Sequence, residues 1–212
     1  MMENVDELID KLAKDAARVR PASHPFALSA EWLVVAVFYI AATVMFTGVR
    51  QDLMHKLHET WFAAEIAALF LILVSTSLSA ALLSYPDLHQ KRLYAFAPAV
   101  SFALFMVVML FAWQADNPPS PLPMHSFQCT LSITLFSILP AAWILYVMRK
   151  FASTHANWAG AIALLFAFST GALWLRVYEQ TDSIRHLVEW HYLPMIAIGF
   201  FGMWLGKKVL KW

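Results

Sequence analysis

The chain has 212 residues, of which 60% are hydrophobic and only 14% charged, with a mean hydropathy of +0.60; a soluble domain, whose apolar share is nearer half, is excluded. A net charge of +1 gives no polyanion-binding balance, so direct contact with nucleic acid is not expected. The single cysteine, Cys129, excludes an internal disulfide framework and any zinc site built on several thiolates.

Residues 1–31 carry Glu3, Asp6, Glu7, Asp10 and Asp15 and no continuous apolar run, so a retained cytoplasmic segment is expected here rather than a signal peptide. Within it Val5, Leu8, Ile9, Leu12, Ala16 and Val19 follow an i, i+3, i+4, i+7 rhythm, which gathers them into one stripe about 100° wide on a helix. Asp6 and Asp10 flank the stripe, Lys11, Lys14 and Arg18 lie on the far face, and Pro21 with Pro25 should stop the helix. Helices that rest on a bilayer favour a basic polar face and aromatic anchors. Residues 3–20 have five acids, four bases and no aromatic residue, so a protein groove is the better home for this stripe.

A helix crosses the hydrocarbon in roughly 20 residues, so the length permits six spans only with short loops. Apolar stretches run from Trp32 to Val49, Thr60 to Leu83, Leu93 to Trp113, Phe127 to Met148, Trp158 to Leu175 and Tyr192 to Leu205. The polar breaks between them are brief, which predicts antiparallel neighbours. With the amino terminus inside, eleven Lys and Arg fall on the cytoplasmic side and four (Arg50, Lys56, Arg176, Arg185) on the other; the positive-inside rule thus places both termini in the cytoplasm. Eight of the nine tryptophans lie near predicted span ends, where an indole can bury its ring and still hydrogen-bond.

Pro98, Pro140 and Pro194 fall within spans and can kink them. Gly202 and Gly206 form a GxxxG spacing suited to close helix approach, with packing inside the chain favoured over dimerisation. Glu65 stands about five residues inside the second span, where a carboxylate costs roughly 2.5–3.5 kcal/mol at midmembrane and less near the interface. It can pair with a polar neighbour, accept a proton or reach water.

At the outer end of the fourth span His125 and Cys129 are four residues apart, on one helix face if the helix extends that far; His55, His58, His186 and His191 lie on the same side. Thiolate and imidazole can bind a soft metal and pass a change in packing inward. The blander reading, preferred here, makes Cys129 a small packing residue and the histidines wetted interface groups. No resident metal or cofactor is expected. All eight histidines fall in loops or near predicted helix ends, unlike haem ligands facing one another within a bundle. A small-solute transporter is the stronger competitor, but Glu65 has no counterpart in the second half of the chain.

The opening Asp6-Glu7-Leu8-Ile9-Asp10-Lys11-Leu12-Ala13, then Val19-Arg20-Pro21, Cys129, Pro140 and the ending Gly202 to Trp212 with Gly206, Lys207, Lys208, Leu210 and Lys211 together resemble the NrsF-like family. That resemblance spans nearly the whole chain. It implies a six-helix bacterial inner-membrane anti-sigma factor without catalysis, whose cytosolic segment holds an extracytoplasmic-function sigma factor away from RNA polymerase until a stress signal weakens the grip. It points to Leu8, Ile9 and Leu12 as apolar anchors, with Ala16 and Val19 continuing the stripe, and to Asp6 and Asp10 as charge contacts. Family members commonly carry a second cysteine after the fifth span, where this chain has Tyr178-Glu179-Gln180-Thr181-Asp182; a signal mechanism needing two thiols in one chain lacks its second thiol here. The expectation is an all-α membrane protein: a short cytosolic amphipathic helix in residues 1–31, then a bundle of six transmembrane helices over 32–212. Cys129, His125 and Glu65 are its candidate signal-sensing residues.

Overall fold

The computed structural model describes residues 5–15, 23–86, 92–115, 126–151 and 153–211. Ala16, Val19, Pro21 and His125 lie outside the described residues. Helix α1 (Val5–Asp15) is followed by the long helices α2 (Pro25–Thr47), α4 (Thr60–Leu83), α6 (Ala97–Ala115), α7 (Ser126–Met148) and α8 (Ala156–Tyr178). Short helices α3 (Leu53–Lys56) and α5 (Arg92–Ala95) precede α4 and α6, and α9 (Ile184–His186) leads through a π-helical turn, Leu187–Tyr192, into α10 (Leu193–Val209). No strand occurs among the described residues.

The helices α2, α4, α6, α7 and α8 are long and apolar enough to cross a membrane. Their outer faces carry large apolar side chains such as Phe38, Met45, Leu110 and Phe46, the last 91% exposed. Such surface is what lipid solvates and water does not. With 17 residues α10 is shorter, although helical backbone runs into it without a break from Ile184.

Helix α2 starts seven residues before the apolar stretch does. Pro25, expected with Pro21 to stop the amino-terminal helix, also begins the next one: at the first helical position its missing N–H costs nothing and its fixed φ is already helical. His24 caps it, with Nδ1 accepting the Phe26 N–H at 3.3 Å. At the other end Gly48 adopts φ +85°, a conformation that favours glycine, and its N–H closes on Val44 O at 2.8 Å.

Pro98 and Pro194 also stand in the first turns of their helices, leaving Pro140 as the proline inside one. A proline has no N–H for the carbonyl four residues back. Behind Pro140 that carbonyl is Phe136 O, which accepts the Tyr39 hydroxyl of α2 at 2.8 Å. Behind Pro194 it is Trp190 O, which accepts the Thr130 hydroxyl of α7. Each proline thus converts a helical bond into an interhelical one, and at Pro194 the backbone widens into the π turn.

Helix α8 is the hub, packing on α2, α4, α7 and α10. Its small residues Ala159, Gly160, Ala163, Ala167, Gly171 and Ala172 are buried. Against α10 the backbones almost touch: a Cβ on Gly160 would lie 2.3 Å from Gly202 O and 2.5 Å from Gly206 Cα. The Gly202/Gly206 spacing therefore serves packing within the chain.

Replacing Gly160 by Ala forces backbone against backbone and should cost about 1–3 kcal/mol, read as a fall of several degrees in the melting temperature of the detergent-solubilised protein. Gly199→Ala, whose Cβ would first meet Leu165 Cδ2 at 3.7 Å, should leave the melting temperature unchanged.

Candidate functional site

Charged residues gather where the C-terminal ends of α2 and α8 meet the N-terminal ends of α4, α7 and α10. Arg50, just past α2, is buried with its guanidinium between two carboxylates: Nε and Nη2 donate to Asp52 at 2.7 and 2.9 Å, Nη1 and Nη2 to Asp182 at 3.0 and 2.9 Å. Its backbone N–H binds Val177 O at 3.0 Å, tying this loop to α8. Arg176, in the last turn of α8, donates to Glu65 Oε1 at 2.9 Å, Thr181 O at 3.0 Å and Asp182 Oδ1 at 3.0 Å. Both guanidinium groups lie near the ring of Phe62, at 5.3 and 4.6 Å. Lys56 closes the cluster on Asp182 at 3.0 Å.

Glu65 is thus a paired carboxylate: 1% exposed, it accepts Arg176 and the Tyr192 hydroxyl. Burial works to raise the carboxyl of Asp182, but hydrogen bonds from Arg50 and Lys56 and the charges of Arg176 and Arg50 outweigh it and bring its pKa down to about 2.

Beside the clamp is a second cluster. Cys129 in the first turn of α7, Glu179 just after α8, His186 at the end of α9 and His191 in the π turn bring one donor atom each to within 4.8 Å of one another. Cys129 Sγ is 3.3 Å from Glu179 Oε1, His186 Nε2 is 3.5 Å from Glu179 Oε1, and His191 Nε2 is 3.1 Å from Glu179 Oε2. Both histidines are 0% exposed. Their four ring nitrogens have no partner in hydrogen-bonding geometry among the described residues, despite the carboxylate close by. Burial would raise the Glu179 carboxyl, but the neighbouring imidazoles and the Cys129 thiol hold it well below the usual carboxylate range.

This corrects the reading of His186 and His191 as wetted interface groups. The helical backbone restarts at Ile184, so the segment expected to be a polar loop folds as α9 and the π turn and carries both rings inside. His55 and His58 do remain exposed. Cys129 is half-buried and does pack against the core, and it also faces Glu179, in the stretch where the resemblance led to a second thiol being sought. Glu65 joins the clamp on the π-turn side through Tyr192. At the other end of the chain, Val5, Leu8, Ile9 and Leu12 of α1 are all exposed. Sequence reasoning missed Arg50, Arg176, Asp182 and Glu179. The signal available was position: Arg50 and Arg176 each immediately follow an apolar stretch, and Glu65 lies inside one.

The profile of the family described as NrsF, negative regulator of sigma F, matches residues 12–212. The Anti-sigma-F factor NrsF of Caulobacter vibrioides is 25% identical over 214 residues, covering 98% of this chain and 99% of that protein. No solved structure matches.

Two outcomes test the clamp. Glu65→Gln and Arg176→Gln each break the buried Glu65–Arg176 ion pair and should each cost about 3–5 kcal/mol, whereas the double variant should cost less than the sum of the two in a thermal-unfolding cycle. Asp182, with its pKa depressed to about 2, contributes stability that is complete above its ordinary value of 3.8 and fades as pH falls toward 2. The melting temperature should therefore drop between about pH 4 and about pH 2, the window set by that shift, and Asp182→Asn should flatten that part of the profile.

Proposed function

Because this chain belongs to the NrsF family of negative regulators of sigma F, we propose that it is an anti-sigma factor of the bacterial inner membrane that holds an extracytoplasmic-function sigma factor through its cytosolic amino-terminal segment and releases it on a stress signal. The observation that carries this reading is α1, an eleven-residue helix whose Val5, Leu8, Ile9 and Leu12, spaced to share one face, all stand exposed. An exposed apolar stripe with charged flanks suits a protein groove. In this reading Leu8, Ile9 and Leu12 anchor the partner, Ala16 and Val19 extend the stripe, and Asp6 and Asp10 select the partner by charge.

The proposed topology has six spans, α10 with its π turn being the sixth, and both termini in the cytoplasm, as the eleven-to-four distribution of Lys and Arg favours. The segment 1–31 is then the sigma-binding unit and the remainder its membrane anchor, although α2 already begins at Pro25. The charged and thiol-bearing end of the bundle faces outward. Cys129, Glu65 and His125 are proposed to receive the signal there, and rigid displacement of packed helices carries it inward.

Full-length protein in detergent, immobilised and offered the purified sigma factors of its source cell, should retain one of them. Changing Leu8, Ile9 and Leu12 together to Ser should weaken that binding at least about tenfold, since each buried anchor contributes roughly 1.5–3 kcal/mol. Equal retention by the triple variant, or no sigma factor retained by the wild type, overturns the reading.

A further inference from the structure

We propose that Cys129, Glu179, His186 and His191 form a binding site for a divalent transition metal of zinc type. Three observations carry it. The four donor atoms come from three separate parts of the fold, the start of α7, the end of α8 and the helical turns before α10, yet all lie within 4.8 Å of one another. Glu179 Oε1 lies 3.3 Å from Cys129 Sγ and 3.5 Å from His186 Nε2, within the donor spacing of about 3.2–3.8 Å that a tetrahedral zinc imposes, and Glu179 Oε2 lies 3.1 Å from His191 Nε2. The two imidazoles are fully buried and none of their nitrogens has a hydrogen-bond partner among the described residues. A buried polar ring left in that state is costly, and coordination supplies the missing partner for one nitrogen of each.

Charge points the same way. A thiolate, a carboxylate and two neutral imidazoles around a dication sum to zero, so the filled site leaves no net charge in a buried place. On binding, the Cys129 S–H bond breaks, its proton passes to solvent, and the sulfur lone pair forms the bond to the metal, with no redox change. The mixed nitrogen, sulfur and oxygen set selects a borderline dication over Mg2+ or Ca2+, which prefer oxygen alone. The ligand assignment stands on this geometry. That it belongs to the outward-facing, signal-receiving end of the bundle rests on the anti-sigma reading.

The test uses full-length protein in detergent, stripped with EDTA and titrated with Co2+ as the spectroscopic stand-in for zinc. One equivalent should bind, with a near-ultraviolet thiolate-to-cobalt band and visible bands of tetrahedral cobalt, both abolished when Zn2+ is added. Cys129→Ser should lose the near-ultraviolet band. His191→Gln and Glu179→Gln should weaken cobalt binding at least about tenfold, while replacement of the exposed His55 and His58 by Gln should change neither band. Cys129→Ser is the smallest of these changes, so it keeps the test decisive if the histidine variant does not fold. Absence of the thiolate band in the wild type, or its persistence in Cys129→Ser, overturns the site. Sigma retention measured on the EDTA-stripped protein before titration separates the two readings: retention there without a cobalt band on titration overturns the metal site alone, and a cobalt band on titration without retention by the stripped protein overturns the anti-sigma reading alone.

Discussion

A polar group inside lipid has no water to fall back on, and the arrangement of this bundle follows from that constraint. Arg176 at the end of α8 is the clearest case. Its guanidinium is buried, so Glu65, Asp182 and Thr181 O must surround it, and those partners in turn fix α4 and the loop after α8 against it. Asp182 is shared with Arg50 and Lys56, which adds the loop after α2 to the same assembly. Two buried cations, Arg176 and Arg50, sharing the Asp182 carboxylate thus set the relative positions of three helix ends. Pairing of this kind does not have to exceed an apolar core in stability to matter, because breaking it is what costs most.

The opposite end of α8 solves a different problem by different means. No apolar driving force separates one helix from lipid and joins it to another, so close contact has to come from shape. Gly160 meets Gly202 and Gly206 without side chains between them. Along the rest of the bundle the freed carbonyls behind Pro140 and Pro194 are taken up by Tyr39 and Thr130, hydroxyls from neighbouring helices. A residue type that weakens an isolated helix becomes, in this solvent, a source of interhelical bonding.

These solvent rules explain what the sequence could disclose. Length and apolarity are local properties, so Thr60–Leu83 was legible with the limits the structure has, and Phe127–Met148 within one residue. The glycine spacing was legible for the same reason, as was the oddity of Glu65. Pairings were not: Arg50 and Asp182 are 132 residues apart in the chain and Glu65 and Arg176 are 111 apart, so each looked like a loop charge or an isolated acid. His186 and His191 were misplaced because a polar-looking segment coils into a helical turn ahead of Pro194, and only the turn reveals that both rings point inward. The early start of α2 was missed because Pro25 was read only as the stop of the preceding helix, and its position also makes it a start.

The same packing restricts how a signal could cross this molecule. A bundle whose central helix touches its neighbour backbone to backbone cannot deform by degrees, since there is no side chain at Gly160 to repack. On the proposed reading, a change among Cys129, Glu179 and the two histidines acts on whole helices, by moving the first turn of α7 relative to the end of α8. Helix α7 is bonded to α2 through Tyr39 and Phe136 O. Helix α2 is the one whose amino-terminal end, near Ser29, is fastened to α4 at Ser77 and follows α1 in the chain. On the proposed reading, the physical link between the thiol cluster and the sigma-binding helix is thus a succession of rigid bodies, α7 then α2, and what separates the two states is which set of helix-end bonds is closed.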